Sequence, residues 1–268
     1  MTRSGRASAI ACALAFALAG RVGAIGLGVQ PGRLELVMKP GESRQLTFEV
    51  VNTDGHADLR AHFYVTDVVQ APDGSADLVE PGTTAWSATG WVALRTVALV
   101  VGPHARAPVL YEVRVPKTAR GSGYVALVAE STVPARASAE SAARIVVRIP
   151  FLLHVRVAGT EIWKARVRSL KPSTLTAGER VRWSCSVKNE GNVLIRPVGT
   201  LSIRAAGAKG RILAVNAPGE AVFPGQTKTF EVDDPKGVRR AGFVTVGLAL
   251  DSGESLRLET GETFTFTQ

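Results

Sequence analysis

The chain has 268 residues, 46% of them hydrophobic, which is enough for two domains of ordinary size with separate cores. Its formal net charge is +9, and Arg3, Arg6 and Arg21 contribute three of these charges, which leaves about +6 for the remainder. This mild excess lies mainly after residue 160. Anionic envelope polymers or lipids would suit it, but solubility alone explains it and is the interpretation we favour. We predict no nucleic-acid partner.

The N-terminal segment predicts a secretory signal peptide. Arg3 and Arg6 make a basic start, an apolar run extends from Ala7 to Gly20, and Val22-Gly23-Ala24 is a small-residue cleavage site. The apolar run is too short to span a bilayer, although an uncleaved anchor is the alternative. We therefore predict that residues 1–24 are removed and that the mature chain is exported, to the periplasm or outside the cell, without a membrane span.

Short β-strands separated by turns are predicted for the residues that follow. Val29 and the stretch from Pro31 to Val37 predict a first strand with a bend or bulge at Pro31-Gly32. Residues 75–89 are predicted to form a polar, irregular loop, and residues 133–143 an exposed loop. Turn signals every 8–12 residues and little helical periodicity predict an Ig-like β-sandwich over residues 25–158. Its further strands are predicted at 46–50, 61–69, 91–94, 97–101, 109–115, 124–129 and 145–157.

A cassette of turn, strand and asparagine occurs twice in the chain. The first copy begins at Pro40-Gly41 and ends at Asn52, and the second begins at Ala177-Gly178 and ends at Asn189. In each copy apolar residues stand five, seven and nine positions after the glycine, and the asparagine stands eleven after it. This alternation is typical of a strand with one buried face, so the two copies predict two similar β-domains. The apolar positions are Leu46, Phe48 and Val50 in the first copy and Trp183, Cys185 and Val187 in the second.

A second Ig-like β-sandwich is predicted for residues 161–268, after a linker at Ala158-Gly159-Thr160-Glu161. The predicted fold class is therefore all-β, with two tandem Ig-like sandwich domains after a cleaved signal peptide. Cys185 is the one cysteine beyond the signal peptide, and its place on the inward face of a strand predicts a buried thiol with no internal disulfide. Strands are predicted at 163–167, 181–187, 198–203, 212–215, 230–232, 243–250 and 256–266.

No pattern of catalytic residues stands out. The sequence lacks a Gly-x-Ser-x-Gly elbow, a phosphate-binding glycine-rich loop and a His-Glu-x-x-His motif. His56 and His62 could pair at a metal, but without a carboxylate cluster ordinary surface histidines are favoured. Asp233-Asp234 and Asp73-x-Ser75-x-Asp77 are interpreted as solvated turns. We predict no enzymatic activity, cofactor or metal, and an enzyme with an unrecognised site is the remote alternative.

The first domain resembles the periplasmic pilus chaperones (PapD-like proteins), which are exported tandem Ig-like proteins. The resemblance lies in Pro31-Gly32-Arg33-Leu34, which matches a Pro-x-Arg-apolar motif in the family's first strand, and in Asn52, which ends the second strand. The family anchors the terminal carboxylate of a pilus subunit with that arginine and a lysine late in the closing strand. Here Pro150 stands at the position of the lysine and brings neither charge nor N–H. Arg148 is the nearby cation on that face.

Both domains also resemble the peptidoglycan-binding and host-binding domains of bacterial WxL-associated surface proteins. This resemblance covers nearly all of the mature chain and implies binding of a cell-wall polymer or a surface protein. The matching motifs are Arg33-Leu34-Glu35-Leu36, Lys39-Pro40-Gly41-Glu42-Ser43, Trp91-Val92, Val115-Pro116 with Tyr124, Asn189-Glu190-Gly191-Asn192, Pro197-x-Gly199-x-Leu201 and Phe223-Pro224-Gly225.

From these observations we predict a non-catalytic, exported cell-envelope protein that binds a cell-wall polymer such as peptidoglycan, or a cell-envelope surface protein. The alternative is a periplasmic pilus-type chaperone that acts by β-strand addition. Gene neighbours that encode an outer-membrane usher and small pilin-like subunits would favour the chaperone.

The closing strand of the first domain, residues 145–157, is the predicted site of binding. Apolar residues lie on both of its faces, whereas a strand with one wet face needs them on one. This strand and the strand of Arg33 are predicted to be the edges of the sandwich, where unpaired backbone groups can accept another chain. The alternative is that the second face packs against the neighbouring domain or the 133–143 loop. The predicted partner-binding residues are Arg33, Arg148 and Leu152.

Overall fold

The computed structural model describes residues 26–70, 76–134, 144–205, 207, 209–215, 221–252 and 256–268. The predicted signal peptide, most of the predicted 133–143 loop and the start of the Asp73 motif lie outside these residues. In the first half the strands are β1 Leu27–Gln30, β2 Arg33–Met38, β3 Ser43–Asn52, β4 Leu59–Gln70, β5 Ala76–Val79, β6 Val92–Leu94, β7 Ala98–Val101, β8 Arg106–Arg114, β9 Ser122–Pro134 and β10 Arg144–Val157. In the second half they are β11 Ala165–Pro172, β12 Val181–Asn189, β13 Val198–Ala205, β14 Arg211–Val215, β15 Thr227–Asp234, β16 Gly242–Asp251 and β17 Arg257–Phe266.

The first ten strands form two facing sheets. One has the order β1-β3-β8-β6, and the other has the order β2-β10-β9-β4-β5, with β7 beside β4. Side chains from both sheets fill one core, in which the rings of Phe48 and Phe151 stack with their centroids 4.8 Å apart and both lie near Tyr111. Burying these large rings is a major part of the hydrophobic stabilisation of this sandwich.

β1 and β2 belong to different sheets although Pro31 and Gly32 alone separate them. β1 pairs antiparallel with β3, whereas β2 pairs in parallel with β10. Proline gives no N–H to a strand ladder, so the Pro-Gly pair ends the first pairing and lets the chain cross to the facing sheet. The bend predicted at Pro31-Gly32 is confirmed. Because of the crossing, β2 reaches β10 late and pairs with its second half.

Strands β11 to β17 form the second sandwich. Its sheets have the orders β11-β12-β15 and β14-β13-β16-β17. Their core is separate from the first and contains Trp183, whose ring centroid lies 5.6 Å from that of Phe264 and 6.4 Å from that of Phe266. Cys185 is a buried free thiol in this core, and burial raises its pKa to about 11. The predicted fold class of two tandem Ig-like β-sandwiches is confirmed for the described residues.

The two copies of the turn–strand–asparagine cassette have the same structure. Gly41 and Gly178 have φ values of 82° and 90°, which a residue with a side chain rarely adopts. Asn52 and Asn189 are both buried, and each side-chain amide donates to backbone carbonyls of nearby turns while its oxygen accepts the N–H two residues ahead. Of the six apolar positions, five are buried and Leu46 is half-buried. The repeat predicted from the sequence is therefore confirmed.

Asn52→Ala should destabilise the first sandwich by roughly 1–3 kcal/mol, because it removes a hydrogen-bond donor from one buried and two partly buried carbonyl groups. The Nδ2 atom of Asn52 donates to the carbonyl oxygens of Ala57, Val101 and Gly102 at 2.8, 3.0 and 3.1 Å. Urea unfolding followed by circular dichroism measures the change. Thr53→Ala, at the exposed neighbouring residue, is the control, and equal stability of the two variants would contradict this role of the amide.

The loop predicted at residues 75–89 is more ordered than the sequence suggested. It contains β5, which pairs with β4. The carboxylate of Asp67, on β4, accepts hydrogen bonds from the N–H and hydroxyl of Thr84 and from the hydroxyl of Ser87. Burial raises the pKa of Asp67, but these hydrogen bonds outweigh it and the net shift is downward. The buried carboxylate of Asp67 therefore holds Thr84 and Ser87 in place, although the polar sequence of this segment predicted an irregular loop.

Asp233 and Asp234 are the last two residues of β15, so the predicted turn is wrong for both, and the predicted exposure to solvent is right for Asp233 alone. Asp233 is exposed and pairs with Arg182 on the surface at 2.8 Å. Asp234 is buried, and its carboxylate accepts hydrogen bonds from Arg211 on β14. The two residues differ because alternation along β15 turns one outward and the other inward.

Candidate functional site

The even-numbered residues of β10 form an outer face that points away from the first core. Phe151, Leu153 and Val155 are buried in that core, so the residues between them face the opposite side. β9 lies beside this strand on one edge, and β2 lies beside its second half on the other. The three residues predicted to bind a partner all share this outer face: Arg33, Arg148 and Leu152.

Within the described part of the chain, the first half of β10 has one open edge. β9 pairs with β10 from Arg144 to Arg156, whereas β2 pairs with the opposite edge from Leu152 to Val157. Residues 144–151 therefore present unpaired backbone groups, which is the feature that strand addition requires. The prediction that the closing strand is an edge is right for this half and wrong for the half beside β2.

The open edge has a definite pattern of donors and acceptors. The N–H of Leu152 donates to the carbonyl of Gly32 on the β2 side at 3.0 Å. Because backbone groups alternate along a strand, those of Val146 and Arg148 point to the same side, where β2 is absent. Pro150 adds a carbonyl there but no N–H, which agrees with the preference of proline for edges.

Aliphatic side chains are exposed on both faces of this open half. Ile145 is 45% exposed on the core side, and Val146 is 48% exposed on the outer side. Val147 and Ile149 are half-buried against the end of the first core. An added strand would bring this apolar surface out of water.

Arg148 is already paired with a carboxylate of its own sheet. Its Nε atom donates to Glu130 on β9 at 2.6 Å, and the Nε2 atom of His62 lies 3.3 Å from the other carboxylate oxygen. Tyr64 donates to the same carboxylate at 3.3 Å. The hydrogen bond from Arg148 lowers the pKa of Glu130, whereas burial and the nearby charge of Glu130 raise the pKa of Tyr64. A partner carboxylate at Arg148 would therefore compete with Glu130.

Leu152 packs at the boundary between the two sandwiches. It is half-buried against a cluster with residues from both, including Tyr124 and Leu194. The hydroxyl of Tyr124 accepts a hydrogen bond from the N–H of Leu194 at 2.9 Å. The ring of Phe223 lies 4.8 Å from that of Tyr124 and 5.0 Å from that of Trp86, between centroids. From the sequence, the alternative to partner binding was that the second face of this strand packs against the neighbouring domain. Leu152 packs in this way.

Arg33 lies near the same boundary and far from Arg148. It is exposed, pairs in register with Leu152, and has its Nε atom 3.7 Å from Glu35. Glu35 in turn accepts a hydrogen bond of 2.6 Å from Arg196 of the second sandwich. Leu152 and Arg148 are four positions apart in β10, which is about 13 Å at the usual rise. The structure therefore places Arg33 and Arg148 on one face without bringing them to a single anion site.

His154 is the outer-face residue next to Leu152. Its ring stacks on Tyr124 with centroids 4.5 Å apart. Burial lowers its pKa to about 4 against the opposing influence of Glu35, so the ring is neutral at neutral pH. It therefore contributes an uncharged aromatic surface at the boundary between the sandwiches.

Sequence reasoning missed the pairing of Glu130 with Arg148 and the contact of Trp86, Tyr124 and Phe223 at the boundary between the sandwiches. Glu130 follows the apolar run from Tyr124 to Ala129 in β9, and a lone carboxylate at the end of such a run is the signal that could have found it. The cluster had no comparable signal, because Trp86 and Phe223 are far apart in the sequence and meet across the two sandwiches.

The histidines do not gather at a metal site in the described residues. His62 contacts Glu130 and Tyr64, and no group of three His, Cys, Asp or Glu side chains among the described residues could hold a metal ion. The described chain also contains no helix with the length and apolarity needed to cross a bilayer.

Known proteins resemble this chain in structure alone. No family model and no curated protein matches it. Among solved structures, the class 5 fimbriae chaperone CfaA is 12% identical with a TM-score of 0.45, and the match covers 90% of this chain and 99% of that one. A chaperone–tip adhesin complex of CFA/I fimbriae biogenesis gives 13% identity, a TM-score of 0.46, and coverage of 90% and 98%. The CupB2 chaperone of Pseudomonas aeruginosa gives 17%, 0.39, and coverage of 88% and 98%.

These solved structures lend no support to the resemblance with WxL-associated proteins.

Proposed function

We propose that this protein is a non-catalytic binding protein of the cell envelope that captures an extended segment of a partner protein along the open half of β10. The observation that carries the proposal is the unpaired edge at residues 144–151 with aliphatic side chains exposed on both faces. An added strand would pair with the backbone of Val146 and Arg148 and would cover Ile145 and Val146. This is the pilus-type chaperone mode of binding.

An open β-edge selects a polypeptide over a glycan. Its N–H and C=O groups are spaced to match the roughly 3.3 Å rise of another strand, and side chains on alternate positions then fill apolar space. A peptidoglycan sugar chain has no matching series of amides along its backbone, and the exposed side chains at this edge are aliphatic. The proposed partner is therefore a cell-envelope or surface protein, and peptidoglycan has no support at this edge.

The proposed place of action is the periplasm or the outside of the cell. It rests on the signal peptide predicted at residues 1–24, which lies outside the described residues. Removal of that segment would leave a mature chain that begins near Ile25.

Photo-crosslinking from the edge tests the proposal. A photoreactive residue replaces Val146 in the exported full-length protein and should give a discrete adduct with a partner protein. The matched control is Ile212, an aliphatic residue that is 72% exposed on the edge strand β14 of the second sandwich. The same adducts from both positions, or none from Val146, would contradict the proposal.

Amide hydrogen exchange then distinguishes strand addition from side-chain docking. In the purified complex, the amides of Val146 and Arg148 should exchange much more slowly than in the free protein, because they would become ladder donors. If Val146 gives an adduct but the amides of Val146 and Arg148 exchange as fast as in the free protein, the partner binds here without adding a strand.

A further inference from the structure

A cavity of about 640 Å³ lies at one end of the second sandwich and is lined by cations. On one side it is lined by the end of β13, the start of β14 and the described residues Gly207, Lys209 and Gly210, and on the other side by residues 236–243. None of the described residues that line it is acidic. Its basic residues, which define the basic pocket, are Lys209, Arg211, Lys236, Arg239 and Arg240.

Buried groups hold the walls of the basic pocket in place. Arg211 forms an ion pair with the buried Asp234 and donates to the carbonyl of Gly237 at 2.9 Å. Val238 is buried, and its carbonyl accepts a hydrogen bond from the N–H of Gly178 at 2.7 Å. The connection between β15 and β16 is therefore anchored at Gly237 and Val238, beside the exposed basic residues Lys236, Arg239 and Arg240.

Arg211 alone among these five cations has a carboxylate partner within the described residues. Four like charges that converge on one concavity repel each other and create a positive potential that attracts anions. The sequence showed an excess of Lys and Arg in the second half of the chain, which solubility alone could explain. Part of that excess lies at this one site. The four cations without such a partner are Lys209, Lys236, Arg239 and Arg240.

Phe243 adds an apolar group to the lining of the basic pocket. It is 68% exposed at the start of β16. Guanidinium groups match phosphate oxygens in pairs, and a phosphate offers enough acceptors for several cations at once. We propose that the basic pocket binds a phosphate-bearing anion, either the headgroup of an anionic phospholipid or a soluble phosphate compound. This site is independent of strand addition at β10.

Two probes and two double variants test the proposal in the mature chain. Binding to inorganic pyrophosphate is measured by calorimetry, and binding to phosphatidylglycerol vesicles by flotation, with phosphatidylcholine vesicles as the uncharged reference. The double variant Arg239→Gln with Arg240→Gln should weaken binding about 25-fold, because each cation near an anionic surface contributes about fivefold. The matched control, Arg168→Gln with Arg257→Gln, removes the same charge from exposed residues outside the pocket and should leave binding unchanged.

Phe243→Ala distinguishes the two sources of phosphate. If it weakens vesicle binding and leaves pyrophosphate binding unchanged, the ligand is a lipid headgroup. If pyrophosphate binds at the pocket and vesicles do not, the ligand is a soluble phosphate compound. Equal losses in the two double variants, or no binding of either probe to the unaltered protein, would overturn the proposal. Thermal melting checks that each variant is folded.

Discussion

Trp183→Ala should lower the free energy of unfolding by about 3–5 kcal/mol, because it removes the largest fully buried side chain of the second core. The indole lies against Phe264 and Phe266 between the two sheets. Sheets fixed by their ladders close poorly around a cavity, so most of the lost packing is not recovered. Urea unfolding of the full chain, followed by far-ultraviolet circular dichroism, measures the loss.

Trp183→Phe is the control for this prediction. It keeps most of the apolar volume and removes an indole N–H that has no acceptor among the described residues, so it should cost much less than alanine. Leu46→Ala, at the half-buried counterpart in the first copy of the cassette, should also cost less. Equal losses for alanine and phenylalanine at residue 183 would mean that the indole does not fill the core as described.

Features encoded within a dozen residues of sequence could be predicted. In each copy of the cassette, the glycine, the alternating apolar residues and the asparagine lie within one strand and its turns. Gly41 needs its positive φ, and Asn52 satisfies carbonyls of turns nearby in space. The same reasoning placed Cys185 in the core, and it placed Arg33, Arg148 and Leu152 on strands whose alternation gives them a common face.

Features that depend on which strands become neighbours could not be predicted. Among the described residues, no strand pairs with one edge of β10 over residues 144–151, and β1 pairs instead with β3 of the other sheet, a pairing that arises only in the assembled sandwich. Glu130 meets Arg148 through the pairing of β9 with β10, and Leu152 meets the second sandwich through the packing of two domains. The sequence therefore indicated a free cation at Arg148, whereas in the structure Arg148 forms an ion pair with Glu130.

The buried ion pair of Asp234 could not be predicted for the same reason, and we expect its loss to reduce the stability of the second sandwich strongly. The position of Asp234 before Pro235 is typical of a turn, and only the approach of β14 reveals Arg211 as its partner. Asp233, next to it in the same strand, is exposed as the sequence interpretation predicted, although it does not lie in a turn. The pair thus gives a matched comparison between a buried and an exposed carboxylate in one strand.

Asp234→Ala should destabilise the second sandwich by about 3–5 kcal/mol, because it leaves the partly buried charge of Arg211 without its counterion. Asp233→Ala, which removes a surface pair with Arg182, should cost no more than about 1 kcal/mol. Urea unfolding of the two variants under the same conditions measures the difference.

A double replacement separates the charge effect from lost packing at Asp234. Asp234→Leu combined with Arg211→Met removes both charges and should recover most of the stability that Asp234→Ala loses, since an apolar pair of similar volume can replace a buried ion pair. If the double variant is as unstable as Asp234→Ala, the loss comes from the shape of the site. If Asp234→Ala is no more destabilising than Asp233→Ala, the carboxylate does not hold Arg211, and the wall of the basic pocket that depends on this ion pair is not fixed as described.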